Sequence, residues 1–137
     1  MEKTLGDYLR SASAVQEIVG DRVATKTPRT LAQPWVRVTV VDDPPAGKSS
    51  TDHNIAFYVQ LDCYAGADGG EVEATRLGHT VRSLLAEMAD GQHTDIVISG
   101  SKPTGSRLLP DDTFDPPRDR RVVTGIVWAH AAEEEGS

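Results

Sequence analysis

The sequence predicts an α+β domain: a mostly antiparallel sheet of about four to five strands with an N-terminal helix and a central helix packed on it. Two observations predict this class. Stretches with apolar residues at spacings of three and four alternate along the chain with stretches in which every second residue is apolar. A polar loop joins the first two predicted strands, and such a connection favours an antiparallel hairpin.

Residue spacing gives each predicted helix one apolar face. The first helix is predicted over residues 4–19, where Gly20 offers the left-handed conformation that ends helices. Ser11 and Ser13 can divide it into two short helices, because serine side chains compete for backbone hydrogen bonds. The second helix is predicted over residues 71–89. Its apolar face is expected to contain Val72, Leu77, Val81, Leu84, Leu85 and Met88.

Four strands are predicted from alternating or continuous apolar residues. The first alternates over residues 36–40, and the third covers residues 94–100, before an irregular segment over residues 101–119. The last covers residues 120–130 and has no polar face, so we expect it to lie centrally in the sheet or to be covered on both sides. The second strand is the most regular, with Phe57, Val59, Leu61 and Cys63 on one face and Tyr58, Gln60, Asp62 and Tyr64 on the other.

Length and charge narrow the classes of function. The chain has 137 residues, the usual size of one domain, and a formal net charge of −7. This charge disfavours general nucleic-acid binding, which needs clustered Lys and Arg, and docking on an anionic membrane surface. We expect one domain over residues 1–130 and no membrane partner. Residues 131–137 are small and acidic, and we expect them to form a disordered tail.

Carboxylate and imidazole side chains occur together at two places. Asp90, His93 and Asp95 are close in sequence, and Asp52 precedes His53. Such groups can bind a divalent metal. Here they fall in hydrophilic loops, where solvated side chains are the commoner explanation, so we predict no metal site.

Two further features resemble catalytic or cofactor elements. Residues 66–70, GADGG, lie between a predicted strand and a predicted helix, as a phosphate-binding loop would, but lack its lysine and spacing. Cys63 falls on the apolar face of a strand, where a free cysteine usually acts as a small buried hydrophobe. We therefore predict no catalytic residues, no cofactor and no enzymatic activity.

The large aromatic residues are the candidates for a protein interface. Trp35 and Trp128 are the only tryptophans of the chain, and Trp is enriched at binding hot spots. Tyr58 and Tyr64 lie on the polar face of the most regular strand, where a neighbouring protein could cover them.

Five segments of the chain form a recognisable order: VQEIVGDRV at 15–23, QPWVRVTVV at 33–41, FYVQLDCYAG at 57–66, EATRLGHTVRSLL at 73–85 and RRVVTGIVWA at 120–129. They include Val19-Gly20-Asp21-Arg22 and the Pro34 that precedes the first strand. Together these segments, over about residues 5–129, resemble the tail terminator, or tail completion, proteins of long-tailed bacteriophages.

The resemblance implies a structural protein of the virion. Such proteins form a ring, commonly a hexamer, on the head-proximal end of the tail tube, where the ring ends tube growth and forms the joint to the head. The implied partners are other copies of the chain, the tail tube protein and a head–tail connector or stopper protein. DNA would only pass through the lumen. The implied location is the head–tail junction, after synthesis in the host cytoplasm.

Two alternatives remain open at this point. The first is another head–tail connector, such as a stopper or adaptor, because hydrophobic patterns separate these proteins poorly. The second is a small ligand-binding domain or enzyme, which would need a concave site lined by convergent polar groups.

Overall fold

The structure, a computed structural model, describes residues 1–26, 32–41, 55–88, 91–93, 96–114 and 116–131. These residues form an α+β domain, as predicted, with one sheet in the strand order β1-β2-β3-β6-β5-β4. The helices are α1 (Glu2–Ser11), α2 (Ser13–Val19) and α3 (Gly70–Glu87), and the strands are β1 (Val23–Ala24), β2 (Trp35–Val41), β3 (Ile55–Tyr64), β4 (Gly91–His93), β5 (Ile96–Leu108) and β6 (Arg120–Ala131).

The sheet is antiparallel except at one edge, where β1 runs parallel to β2. The predicted hairpin of β2 and β3 is confirmed, with Val38 opposite Leu61. β6 lies between β3 and β5, so its predicted central position is also confirmed. The sequence did not predict β1 and β4, which are short strands that extend the sheet at its two edges.

One face of the sheet packs against the helices and forms the core. The alternation along β3 is confirmed there, because Val59, Leu61 and Cys63 are almost fully buried. Leu77, Val81 and Leu85 of α3 belong to the same hydrophobic core, as do Leu5, Leu9, Val15 and Val19 of the N-terminal helices. No helix within the described ranges has the length and apolar character needed to cross a membrane.

The predicted division of the N-terminal helix is confirmed, whereas the predicted position of Val72 on the apolar face of α3 is wrong. The N-terminal segment is divided at Ala12, whose φ of −80° and ψ of 123° are extended. Ser11 donates a 2.8 Å hydrogen bond from Oγ to the carbonyl oxygen of Tyr8, in agreement with the role expected of serine. Val72 was expected on the apolar face of α3, but its side chain is 81% exposed. It lies in the first turn of α3, on the side that faces away from the sheet.

The predicted irregular segment is wrong over residues 101–108, which belong to β5. Proline and glycine normally weaken a strand assignment. Here the pairing of β5 with β6 shifts register between Ile98 and Gly100 and again between Pro103 and Gly105. These irregularities accommodate residues that would interrupt a regular ladder.

Side chains of α1 close the edge of the sheet formed by β1 and β2. The backbone N–H of Val40 donates to Oε2 of Glu2 at 3.4 Å. Nη1 of Arg10 donates a 2.5 Å hydrogen bond to the carbonyl oxygen of Val23. The backbone groups that a further strand would use at these two positions are therefore already occupied.

Candidate assembly surface

The second face of the sheet, which we call the outer face, is not covered by the helices. The register places Thr39, Tyr58, Gln60, Thr124 and Ile126 on this face. All five are exposed or half-buried, whereas the residues that alternate with them lie in the core. The fold therefore leaves much of one sheet face free for contact with another molecule.

The most apolar part of the outer face is a patch of three residues, Tyr58, Ile126 and Trp128, here called the outer-face patch. Tyr58 lies directly opposite Ile126, and its side chain is 42% exposed. Trp128 is half-buried, and its ring lies against Gly100 of the neighbouring strand β5. A Cβ atom added to Gly100 would come within 3.1 Å of Cε3 of Trp128. Two of the four predicted interface residues are thus adjacent on an open surface.

The other two predicted interface residues, Trp35 and Tyr64, lie inside the subunit with 1% and 0% exposure. Their rings stack with a centroid distance of 4.1 Å and an interplanar angle of 5°. Phe114, from the turn between β5 and β6, meets both rings edge-on at about 6 Å. Trp35 and Tyr64 therefore form the floor on which this turn packs, and an interface role for them would act through the turn.

A buried carboxylate lies beside this aromatic cluster. Asp62 is fully buried, and its Oδ2 accepts hydrogen bonds from Nε and Nη2 of Arg37 at 3.2 and 2.9 Å. Its Oδ1 accepts a 3.0 Å hydrogen bond from Nε2 of Gln60, and Nη1 of Arg120 lies 4.0 Å away. The charge is therefore compensated, as a buried carboxylate requires.

A second carboxylate, that of Asp111, fastens the β5–β6 turn. Its Oδ2 accepts a 2.7 Å hydrogen bond from the hydroxyl of Tyr64, and its Oδ1 accepts from the hydroxyl and the backbone N–H of Thr113. Burial acts to raise the pKa of Asp111, but the hydrogen bonds from Thr113 and Tyr64 and the charge of Arg120 leave that pKa below its usual value. Burial, with the bond to Asp111, raises the pKa of Tyr64 to about 12.

Among the described residues, the polar groups that were candidates for chemistry do not converge. Cys63 is fully buried, and burial raises the pKa of its thiol, which is consistent with the predicted structural role. The N–H of Gly66 donates a 2.6 Å hydrogen bond to Oε1 of Glu73, so this amide of the GADGG turn is already occupied by a carboxylate. Asp52, His53, Asp90 and Asp95 lie outside the described residues, and within those residues no three His, Cys, Asp or Glu side chains are grouped as metal ligands.

Sequence reasoning missed the buried pair of Asp62 and Tyr64, which it placed on an exposed strand face. Phe114, from the turn between β5 and β6, packs on the ring of Tyr64, and the side chains of Arg37 and Arg120 lie against Asp62. The alternation along β3 is the same whether that face is covered or free, so no local signal distinguishes the two cases.

Comparisons with known proteins give one family and one similar structure. Residues 3–130 match the family model described as "Tail completion protein gp17". A chain from the solved structure "Virion of native gene transfer agent (GTA) particle" has a similar fold, with a TM-score of 0.73 and 16% sequence identity. The similarity covers 94% of this chain and 93% of that one. No curated protein sequence matches the chain.

Proposed function

Because the chain belongs to the family of tail completion protein gp17 and thus has a structural role in a phage tail, we propose that it caps the head-proximal end of the tail tube. In this proposal several copies, most simply six, form a closed ring. The ring ends growth of the tube and provides the surface that joins the head. Its partners are other copies of the chain, the tail tube protein and a connector or stopper protein of the neck.

The uncovered outer face is the observation that carries this proposal. A sheet usually buries both faces or exposes one polar face. Here the exposed face includes the outer-face patch of Tyr58, Ile126 and Trp128. Contiguous apolar groups of this kind on a soluble subunit mark protein contacts. The proposal assigns the patch to a contact within the assembled tail.

A ring also fits the absence of a catalytic arrangement among the described residues. When one patch of a subunit contacts a different patch of the next, the assembly closes into a cycle if the rotation between subunits allows it. The subunits need no catalytic site for this role. We therefore assign the chain a structural rather than an enzymatic function.

The experiment compares two charge insertions at exposed apolar residues. Tyr58→Asp places a carboxylate in the outer-face patch, and Val72→Asp places one on α3, at the residue with 81% exposure. Both variants should fold, because both side chains are exposed. Tails assembled with each variant are examined by electron microscopy for tube length and attachment to heads.

We expect Tyr58→Asp to give tubes of irregular length that lack heads, and Val72→Asp to behave as the unmodified chain. Normal tails with Tyr58→Asp would show that the outer-face patch makes no contact needed for assembly. Location of the protein on the portal side alone, away from the tube, would favour the stopper or adaptor function. A two-fold dimer as the only form in assembled tails would contradict the ring.

A further inference from the structure

The distribution of charge along the chain is uneven. Within the described residues, Lys and Arg equal Asp and Glu in number, so the whole net charge of −7 belongs to the other segments. One of these segments follows β6 directly and contains the consecutive residues Glu133, Glu134 and Glu135. The described part of the chain is thus neutral, and this short run carries three of the uncompensated negative charges.

Complementary basic residues lie on the outer face. β5 and β6 contain no Asp or Glu, and the register places Lys102 opposite Ile126 and Arg107 opposite Val122. Both basic side chains are exposed, and neither forms an ion pair or hydrogen bond with any residue that the structure describes. Arg37 and Arg120 differ, because they contact Asp62 and Asp111.

Arg107 also lines a groove in this face. The groove has a volume of about 270 Å³. It runs beside the outer-face patch and lies between β3, β6 and β5. Its walls are formed by Gln60, Gly105, Ser106, Arg107, Val122 and Thr124. An extended acidic segment lying in this groove would find hydrogen-bonding side chains and a free guanidinium.

The geometry of β6 prevents the acidic run of a subunit from reaching its own Arg107. Ala131, where β6 ends, pairs with Ile96, at the far end of β5 from Arg107. Arg107 pairs with Val122, nine residues before Ala131 in β6, so it lies roughly 30 Å from Ala131 at the rise of a β-strand. Glu135 follows Ala131 by too few residues for this distance, since even an extended chain of that length spans only about 14 Å.

We infer that Glu133–Glu135 of one copy dock in the groove beside Lys102 and Arg107 of a second copy. This inference rests on the proposed self-assembly of the chain, and it specifies which ends of two subunits meet. The acidic end of β6 in one subunit contacts the basic end of β5 in the next. The two surfaces are different, so the contact is head-to-tail and can repeat around a ring.

Such a contact is weak in a single pair of subunits and sensitive to salt. Exposed ion pairs contribute little free energy to binding, and salt screens the attraction between their charges. Repetition in a closed assembly strengthens the contact, because each subunit is then held at two places. The acidic run would therefore align neighbours while the apolar outer-face patch contributes most of the buried area.

Cross-linking of full-length protein tests this contact without requiring tails. Equal amounts of ¹⁵N-labelled and unlabelled chain are mixed at low salt, at concentrations up to millimolar, and treated with a carbodiimide that joins carboxylates to lysine. Mass spectrometry then identifies the joined residues and whether they come from different subunits. We expect mixed-isotope cross-links between Glu133–Glu135 and Lys102, with yields that fall as salt is added.

Matched variants define the basic side of the contact. Arg107→Gln should lower the yield of the Lys102 cross-link by about threefold. Arg76→Gln, at an exposed arginine of α3, should leave the yield unchanged. The exchange Arg107→Glu with Glu134→Arg should restore part of the yield that each single change removes.

Several results would overturn the inference. These are cross-links only within single-isotope chains, no cross-link to Lys102 at any concentration, or a cross-link from Lys102 to Asp42, Asp43 or Asp52 in place of the acidic run. A failure of the ring proposal is distinct from these results, because it would appear as a two-fold dimer as the only form in assembled tails, an outcome that electron microscopy of tails reports independently of the cross-links.

Discussion

The hydroxyl of Tyr64 donates a 2.7 Å hydrogen bond to Oδ2 of Asp111, and this contact fastens the β5–β6 turn to the end of the sheet. Both groups are buried. The ring of Phe114, which belongs to this turn, packs edge-on against Trp35 and Tyr64. A single polar contact between chain-distant residues therefore helps to hold one end of the outer face in place.

Removing this hydroxyl should destabilise the protein. Tyr64→Phe keeps the ring stack with Trp35 but takes one hydrogen bond from the buried Asp111. We expect the free energy of unfolding to fall by about 1–2 kcal/mol, the usual cost of an unsatisfied buried acceptor. Urea unfolding measures this loss. Tyr58→Phe is the control, since the side chain of Tyr58 is 42% exposed, and equal losses in the two variants would contradict the assigned role.

The lowered pKa of Asp111 predicts a loss of stability in acid. A carboxyl group whose pKa is lower in the folded than in the unfolded chain stabilises the fold above the unfolded pKa, and this contribution disappears as pH falls through the folded pKa. Asp111→Asn should therefore be less stable than the unmodified chain at pH 7, and the difference should shrink below about pH 4. Urea unfolding at several pH values measures it. Asp112→Asn, at an exposed neighbouring carboxylate, should show no such convergence.

The ion pair of Asp62 and Arg37 should be costly to break from one side. Asp62→Ala removes a fully buried carboxylate that accepts hydrogen bonds from Nε and Nη2 of Arg37. We expect a loss of about 3 kcal/mol in the free energy of unfolding, near the low end for buried pairs because the Arg37 side chain is 28% exposed. Thermal or urea unfolding measures the loss. The exposed residue Asp68 supplies the control Asp68→Ala, and a similar effect there would show that burial of the pair is unimportant.

Cys63 should react with thiol reagents only when the protein unfolds. Its side chain is fully buried in the core, and burial raises the pKa of the thiol, so little thiolate exists in the native state. Labelling of the native protein at pH 8 should follow the rate of unfolding and accelerate in urea. Rapid stoichiometric labelling without denaturant would mean that the inner face of β3 is wrongly assigned.

Local patterns predicted the elements better than they predicted what covers them. The alternation at Val59, Leu61 and Cys63 gave the inner face of β3 correctly, because side chains on successive residues must point to opposite faces. The burial of Tyr64 depends on the ring of Phe114, in a turn that follows it by many residues. Such coverage depends on tertiary contacts that the local alternation does not record.

The error in β5 has a similar origin. Pro103 and Gly105 lower the local preference for a strand, and the pattern therefore predicts an irregular segment from residue 101 onward. In the structure, β6 supplies a long partner, and shifts of register accommodate the two residues. Val72 was assigned to the apolar face of α3 in error, because it precedes Leu77 by five residues and so lies about 140° away around the helix from the buried face.

The contacts of Glu2 and Arg10 with the backbone of β2 and β1 have a practical consequence for the life of the free subunit. A sheet edge with unsatisfied amides can recruit extended segments of other polypeptides and seed aggregates. These two side chains shield one such edge before any assembly partner arrives. Trimming the first helical turn, or attaching a bulky fusion there that displaces it, should uncover the amide of Val40 and make the free subunit more prone to aggregate during purification.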